Sequence, residues 1–295
     1  MATPGLHDYG ALLDALRGVR WTARMRPRTT NVGAHIAKRI GPNVEVTEYR
    51  PYRQGDDPRR LDWKLLARTD RAYVRLAPDI ATSPTLIVLD GSASMGAGLG
   101  GDTKWRQARM LCVGLAAVGR GAGDPVGLTI ALGHGARRLL PRARGDVVRE
   151  MIRVVDAVNV DGSPAVAPMF DGLRGVERIV LISDLLGDAD AMLARGASLI
   201  ARGVEVIVVH LVSRAEIALG VERAVAVDPE DAALRRPLSR GAQRAYDSAF
   251  SKFRAAMRNR WLATGARYVE IVDDQPPADA VRTLVRAATG TGVVA

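Results

Sequence analysis

Asp90, Ser92 and Ser94 fall at alternate positions in residues 85–96, TLIVLDGSASMG, directly after a run of aliphatic residues. In an extended chain alternate side chains face the same way, so one carboxylate and two hydroxyls turn toward a common point. Oxygen groups arranged in this way suit a hard cation. Magnesium takes octahedral oxygen ligands at about 2.1 Å, keeps several waters, and uses only one or two carboxylates. One loop cannot complete such a shell, so other segments must contribute. The apolar run 178–183, RIVLIS, ends at Asp184, a second carboxylate. The loop 159–164, NVDGSP, precedes a helical pattern and offers the hydroxyl of Ser163, with Asp161 as its competitor. Asp90, Ser92, Ser94, Ser163 and Asp184 are therefore the candidate ligands of Mg2+, with Mn2+ or Ca2+ as the other ions to test. They leave coordination positions for water or for an acidic side chain of a protein partner.

Two other chemistries use similar residues. Ser94, Asp184 and His210 follow the chain order of an α/β serine hydrolase. A nucleophile elbow, however, needs G-x-S-x-G running straight into a helix, whereas Ser94 sits in S-x-S-x-G. His210 also lies inside the apolar run 206–211, where a core histidine with a hydrogen-bond partner is expected. The stretch 96–101, GAGLGG, fits the G-x-G-x-x-G of a dinucleotide fold. That fingerprint should begin where a strand ends, and Gly96 stands six residues beyond Asp90.

The elements that must position these groups read as an alternation. Strands are expected over 85–90, 126–132, 178–183, 204–212 and 268–272, each rich in β-branched or aliphatic residues. Helices are expected between them, over 104–120, 146–159, 189–202 and 240–263. Strand following helix in this way gives an α/β fold, a mostly parallel central sheet with helices on both faces. Ligands of such sheets bind beyond the carboxyl ends of the strands, where Asp90 and Asp184 lie. Residues 1–83 differ in character and read as an α+β segment, followed by a domain over 84–295. A short helical pattern over 9–16 leads through a basic, threonine-rich loop to a strand over 44–52. In QGDDPRRLDWK, residues 54–64, Gly55 supplies a turn, Asp57 a cap and Pro58 the first position of a helix over 58–68. Leu61 and Leu65 then share a helix face. Asp56, Asp57 and Asp62 stand among Arg50, Arg53, Arg59, Arg60 and Arg68. They read as an ion-pair network docking this segment on the following domain, with Trp63 on its apolar side.

The D-x-S-x-S motif, the hydroxyl loop and the later strand ending at Asp184 resemble the metal-ion-dependent adhesion site (MIDAS) of von Willebrand factor A (VWA) domains. Residues 49–68, YRPYRQGDDPRRLDWKLLAR, resemble the R-x-Y-x-x-G-D-D-x-R-x-I-D-W signature of the bacterial family called domain of unknown function 58, DUF58. That signature precedes an A-type domain in the same order, and the combined resemblance runs over roughly residues 30–290. It implies a VWA-like fold and a Mg2+ site at Asp90, Ser92, Ser94, Ser163 and Asp184, although A-type domains usually place a threonine where Ser163 stands. It also implies a non-enzymatic adaptor or scaffold that works with a MoxR-type AAA+ ATPase in assembling or remodelling protein complexes. Many relatives carry N-terminal transmembrane helices, a pattern absent from this sequence. Many also carry Glu-Glu ahead of the first A-domain strand, where this sequence has Asp79-Ile80-Ala81-Thr82-Ser83.

Composition narrows the partners. The net charge of +10, mostly arginine, would suit nucleic acid, but the arginines are scattered beside acids and aromatic residues are only 4%. No stacking platform emerges, so no nucleic acid is expected and the basic surface fits an acidic protein partner. Residues 1–18 lack the basic and apolar regions of a secretory signal, and no apolar run approaches a bilayer span, so a cytoplasmic location is expected. Cys112 is the sole cysteine, which excludes an intrachain disulfide and a cysteine-based zinc site.

Overall fold

The structure is a computed structural model that describes residues 6–21, 48–56, 58–76, 82–99, 102–143, 145–218, 225–227, 235–237 and 239–289. The chain divides into two units, Met1–Thr22 with Thr82–Ala295, and Ala23–Ala81. Residues 1–22 thus group with the larger unit, whereas a division at 83/84 puts them with the smaller. The reason is the apolar face of α1 (Leu6–Ala15), where Tyr9 and Leu12, with Leu16 just beyond, join the larger unit's core. The Tyr9 hydroxyl also donates to Asp156 Oδ1 at 2.7 Å.

In the smaller unit β1 (Glu48–Pro51) pairs antiparallel with β2 (Tyr73–Leu76). Residues 44–47 of the expected strand, and the expected cap Asp57, lie outside the described residues. The helix expected from Pro58 begins later. Pro58–Arg60 makes one 3-10 turn, Leu61 bridges to Val74, and α2 spans Trp63–Thr69. Its cap is Asp62, whose Oδ1 accepts from the backbone N–H groups of Lys64 and Leu65 at 3.1 and 3.0 Å. The Tyr49 hydroxyl fixes the other oxygen of Asp62 at 3.1 Å. Leu61 and Leu65 therefore share no helix face, and Trp63 is 63% exposed rather than on an apolar side. Asp56 closes a turn by accepting from the Arg53 N–H at 2.8 Å.

The larger unit is built on a six-stranded sheet. After β3 (Thr85–Asp90) comes a short hairpin of β4 (Gly98–Leu99) and β5 (Asp102–Thr103), then α3 (Lys104–Ala122). Next are β6 (Val126–Leu132), β7 (Gly135–Arg142), α4 (Val147–Asp156), β8 (Arg178–Ser183) and α5 (Ala189–Ala201). The chain continues through β9 (Glu205–Val212), α6 (Arg214–Ile217) and a small antiparallel pair, β10 (Val225–Val227) and β11 (Arg235–Pro237). It closes with α7 (Arg240–Ala263), β12 (Arg267–Val272) and α8 (Pro277–Thr289). The strand order is β12-β9-β8-β3-β6-β7, parallel throughout except for β7. Every residue of β3, β6, β8 and β9 is buried, which is why these strands read as unbroken aliphatic runs. Each fully buried Val, Leu or Ile contributes about 1.5–3 kcal/mol. One face of the sheet packs on α1, α3, α4 and α8. The other packs on α5, α7 and the 3-10 turn Ala167–Phe170. This is the expected α/β architecture with helices on both faces.

Several elements were absent from the sequence reading, β7 and α8 the longest among them. β7 is an edge strand whose Arg137, Arg138 and Leu140 are exposed, with Leu139 buried. α8 buries mainly small residues, Ala280, Val281, Val285, Ala287 and Ala288, beside Leu284. Among the described residues no helix is long and apolar enough to cross a membrane.

Candidate metal centre

β3 is flanked by β6, the next strand of the sheet in the chain, and on its other side by β8, so the strand order reverses at its carboxyl end, where ligands of such sheets bind. Asp90 is the last residue of that strand. Gly91 follows because nothing larger fits: an added Cβ would lie 2.4 Å from the Ala131 carbonyl oxygen on β6. Asp90 Oδ1 then accepts from the Ser92 N–H at 3.0 Å. Ser92 starts a 3-10 turn over Ala93–Gly96, and this turn brings Ser92 Oγ and Ser94 Oγ to 3.0 Å. The alternation expected of an extended loop is thus achieved by a turn.

The two other candidate loops converge on this one. Ala93 N–H donates to the Gly162 carbonyl at 2.9 Å, and Asp161 N–H donates to the Gly91 carbonyl at 3.1 Å. Ser163 follows Gly162 in this loop and is exposed. The Asp161 carboxylate lies 4.0 Å from His134 Nδ1 with its side chain 59% exposed. From β8, Ser183 Oγ donates to Asp90 Oδ2 at 2.6 Å and accepts from the Leu185 N–H at 2.9 Å. Leu185 has φ 59, a left-handed conformation that costs a non-glycine residue about 1–3 kcal/mol. Asp184 Oδ1 accepts from the Leu186 N–H at 3.2 Å, which helps to hold that turn.

Asp90, Ser92, Ser94 and Asp184 are all buried, and Ser163 is the exposed member of the set. Burial first, and the neighbouring Asp184 carboxylate second, push the Asp90 pKa up to about 6. Among the described residues no three or more His, Cys, Asp or Glu side chains are arranged to hold a metal ion. A cation here would depend on hydroxyl oxygens beside its carboxylates.

The sequence reading missed Lys104. Its Nζ donates to Asp184 Oδ2 at 2.7 Å and to Glu216 Oε1 at 2.5 Å. Burial lowers its pKa, but Asp184 and Glu216 outweigh that effect and the net shift is upward. Lys104 looked like an ordinary helix start. The available signal was its sign, since a cation in the first turn opposes the helix dipole.

The hydrolase arrangement does not form. Ser94 Oγ pairs with Ser92 Oγ. His210 is buried, with Nδ1 bonded to the Tyr268 hydroxyl, and burial lowers its pKa to about 4. The glycine-rich stretch contributes to the β4–β5 hairpin, and its Gly100 and Gly101 lie outside the described residues.

A family model described as "Protein of unknown function DUF58" matches residues 48–259. An uncharacterized protein of Mycobacterium tuberculosis is 31% identical over 261 residues, covering 80% of this chain and 79% of that protein. A Mycobacterium bovis protein, also uncharacterized, matches to the same extent. Among solved structures, the conserved hypothetical protein BatB from Bacteroides thetaiotaomicron aligns with a TM-score of 0.46 at 16% identity, over 70% of this chain and 98% of that one. The SpRpn10 VWA domain aligns with a TM-score of 0.40 at 14% identity, over 73% of this chain and 100% of that one. By the matched span and the mycobacterial identity, the chain belongs to the DUF58 family of proteins of unknown function.

Proposed function

We propose that this chain is a non-enzymatic protein-interaction module that carries a divalent cation, Mg2+ by preference, and captures its partner through an acidic side chain. Asp90, Ser92, Ser94, Ser163 and Asp184 hold the ion, and the partner's carboxylate completes the shell. The observation that carries this reading is the burial of two neighbouring carboxylates, Asp90 and Asp184, with the Ser92 and Ser94 hydroxyls beside Asp90. The donor chemistry supports a hard ion too, because carboxylate and hydroxyl oxygens converge without thiol or imidazole. A bound cation would also relieve the burial cost that raises the Asp90 pKa.

The partner enters from the Ser163 side, since the other four residues are buried. A chain with net charge +10 favours an acidic partner. The family resemblance points to a MoxR-type AAA+ ATPase or its client. Calorimetric titration with Mg2+ tests the ion site: wild type is expected to bind and Asp90→Ala to lose binding. Retention of wild-type affinity by Asp90→Ala would sink the reading. Capture of a purified MoxR-type ATPase is expected in Mg2+ and not in EDTA. Capture that ignores EDTA would separate the partnership from the ion.

A further inference from the structure

A positive charge sits where a cation site calls for negative ones. Lys104 is the first residue of α3 and is fully buried. An ammonium there faces the positive end of the helix dipole and has left water behind, so its partners must hold it. They are Asp184 at 2.7 Å and Glu216 at 2.5 Å. Both carboxylates are pinned in turn. Asp184 Oδ1 accepts from the Leu186 N–H at 3.2 Å. Glu216 Oε2 accepts from the Ser213 N–H at 2.8 Å in the capping box of α6. Asp184 follows β8, Glu216 follows β9, and Lys104 ends the segment that leaves β3. One ammonium therefore ties three strand-end loops together.

We propose that Lys104 is a tethered cation of the candidate metal centre, organising Asp184 and Glu216 before any ion arrives and keeping the affinity for a free divalent ion low. The inference rests on the metal reading above. A fixed charge on Asp184 repels an incoming ion and already occupies one of its carboxylate oxygens. A partner's carboxylate supplies the missing negative charge, so the ion and the acidic partner strengthen each other's binding. Lys104 is a positioning residue in this scheme, and the ion is retained firmly only in the assembled complex.

Titration of the full chain with Mg2+ alone tests this. Lys104→Met keeps the stem and removes the charge, while Lys104→Gln also keeps a donor for Asp184. Each variant is expected to bind Mg2+ at least about tenfold more tightly than wild type. Each is also expected to melt lower in EDTA and to regain more of its melting temperature on adding Mg2+ than wild type gains. A merely structural lysine would lower stability without tightening Mg2+ binding. Unchanged or weaker affinity in a folded variant overturns the inference and leaves the metal reading intact. If neither wild type nor variants take up Mg2+, the metal reading fails and the inference falls with it. Should Lys104→Met not fold, Lys104→Gln decides, and failure of both to fold even in Mg2+ also overturns it.

Discussion

Buried charges gather at both ends of the sheet, and the two clusters are built differently. At the amino end Arg178, 1% exposed, donates through Nε to Glu205 at 2.9 Å and lies 3.5 Å from Asp124. Arg267 reaches the other oxygen of Glu205 at 3.3 Å, and the Arg178 guanidinium lies 4.3 Å above the Trp21 ring. Asp124 thus faces Arg178, and Glu205 faces both Arg178 and Arg267. At the carboxyl end Asp184 and Glu216 share Lys104, while Asp90 feels the repulsion of the Asp184 carboxylate and accepts from the Ser183 hydroxyl and the Ser92 N–H. Asp124 and Glu205 at the amino end each face a guanidinium, whereas among the described residues no cation pairs with Asp90 at the carboxyl end. The difference sets a charge cluster whose carboxylates face guanidiniums against one whose Asp90 faces none, and the second is the proposed ion site.

The comparison can be broken at either end. The largest effect is expected for Arg178→Met, which leaves Asp124 without its guanidinium and Glu205 with Arg267 alone, and should cost about 3–5 kcal/mol in chemical denaturation. A loss below about 1 kcal/mol would show that the amino cluster is no lock.

His210, on β9 near the carboxyl end, should make the protein acid-labile. Its folded pKa of about 4 lies below the ordinary 6.5, so its contribution is complete above 6.5 and is lost as pH falls through 4. The expected loss is on the order of 2–3 kcal/mol. It should be absent in His210→Gln when stability is followed against pH.

Asp90 runs the other way. Its folded pKa of about 6 exceeds the ordinary 3.8, so its contribution is present below 3.8 and lost as pH rises through 6. In metal-free protein at pH 8, Asp90→Asn should therefore be more stable than wild type by about 1–2 kcal/mol, while no longer gaining stability from Mg2+. An Asn variant of wild-type stability or less would mean that the carboxyl end is not electrostatically strained.

The smallest effect is expected for the exposed Ser163→Ala: stability within about 0.5 kcal/mol of wild type, with weakened Mg2+ binding. If Asp161→Ala weakens Mg2+ binding instead, the loop ligand is Asp161.

How legible these features are in the sequence follows from burial. β3, β6 and β8 are covered on both faces, so their composition announces them and their observed bounds match the expected ones. β7 escapes because its outward residues are arginines and Pro141 interrupts it. α8 was missed although it is legible, since Ala280, Val281, Leu284, Val285 and Ala288 recur at helical spacing opposite a charged face. The short helix over Trp63–Thr69 was displaced by its cap: Asp57 and Asp62 are equally good candidates by type, and only the Leu61–Val74 bridge decides that the chain is still extended at 61. Asp90, Ser92 and Ser94 stand close in sequence and could be read as a group. Lys104 and Glu216 are far apart in the chain and meet only because the loops after β3 and β9 end at one sheet edge.

β7 carries a further consequence for how copies of this protein meet. An outer strand offers unpaired backbone groups to any neighbouring chain and can seed endless sheet growth. Here that border presents Arg137 and Arg138, and Pro141 has no N–H to give. A second molecule aligning its own β7 alongside would bring guanidiniums against guanidiniums. Polymerisation along the sheet is thereby discouraged at this border by charge and by a missing donor.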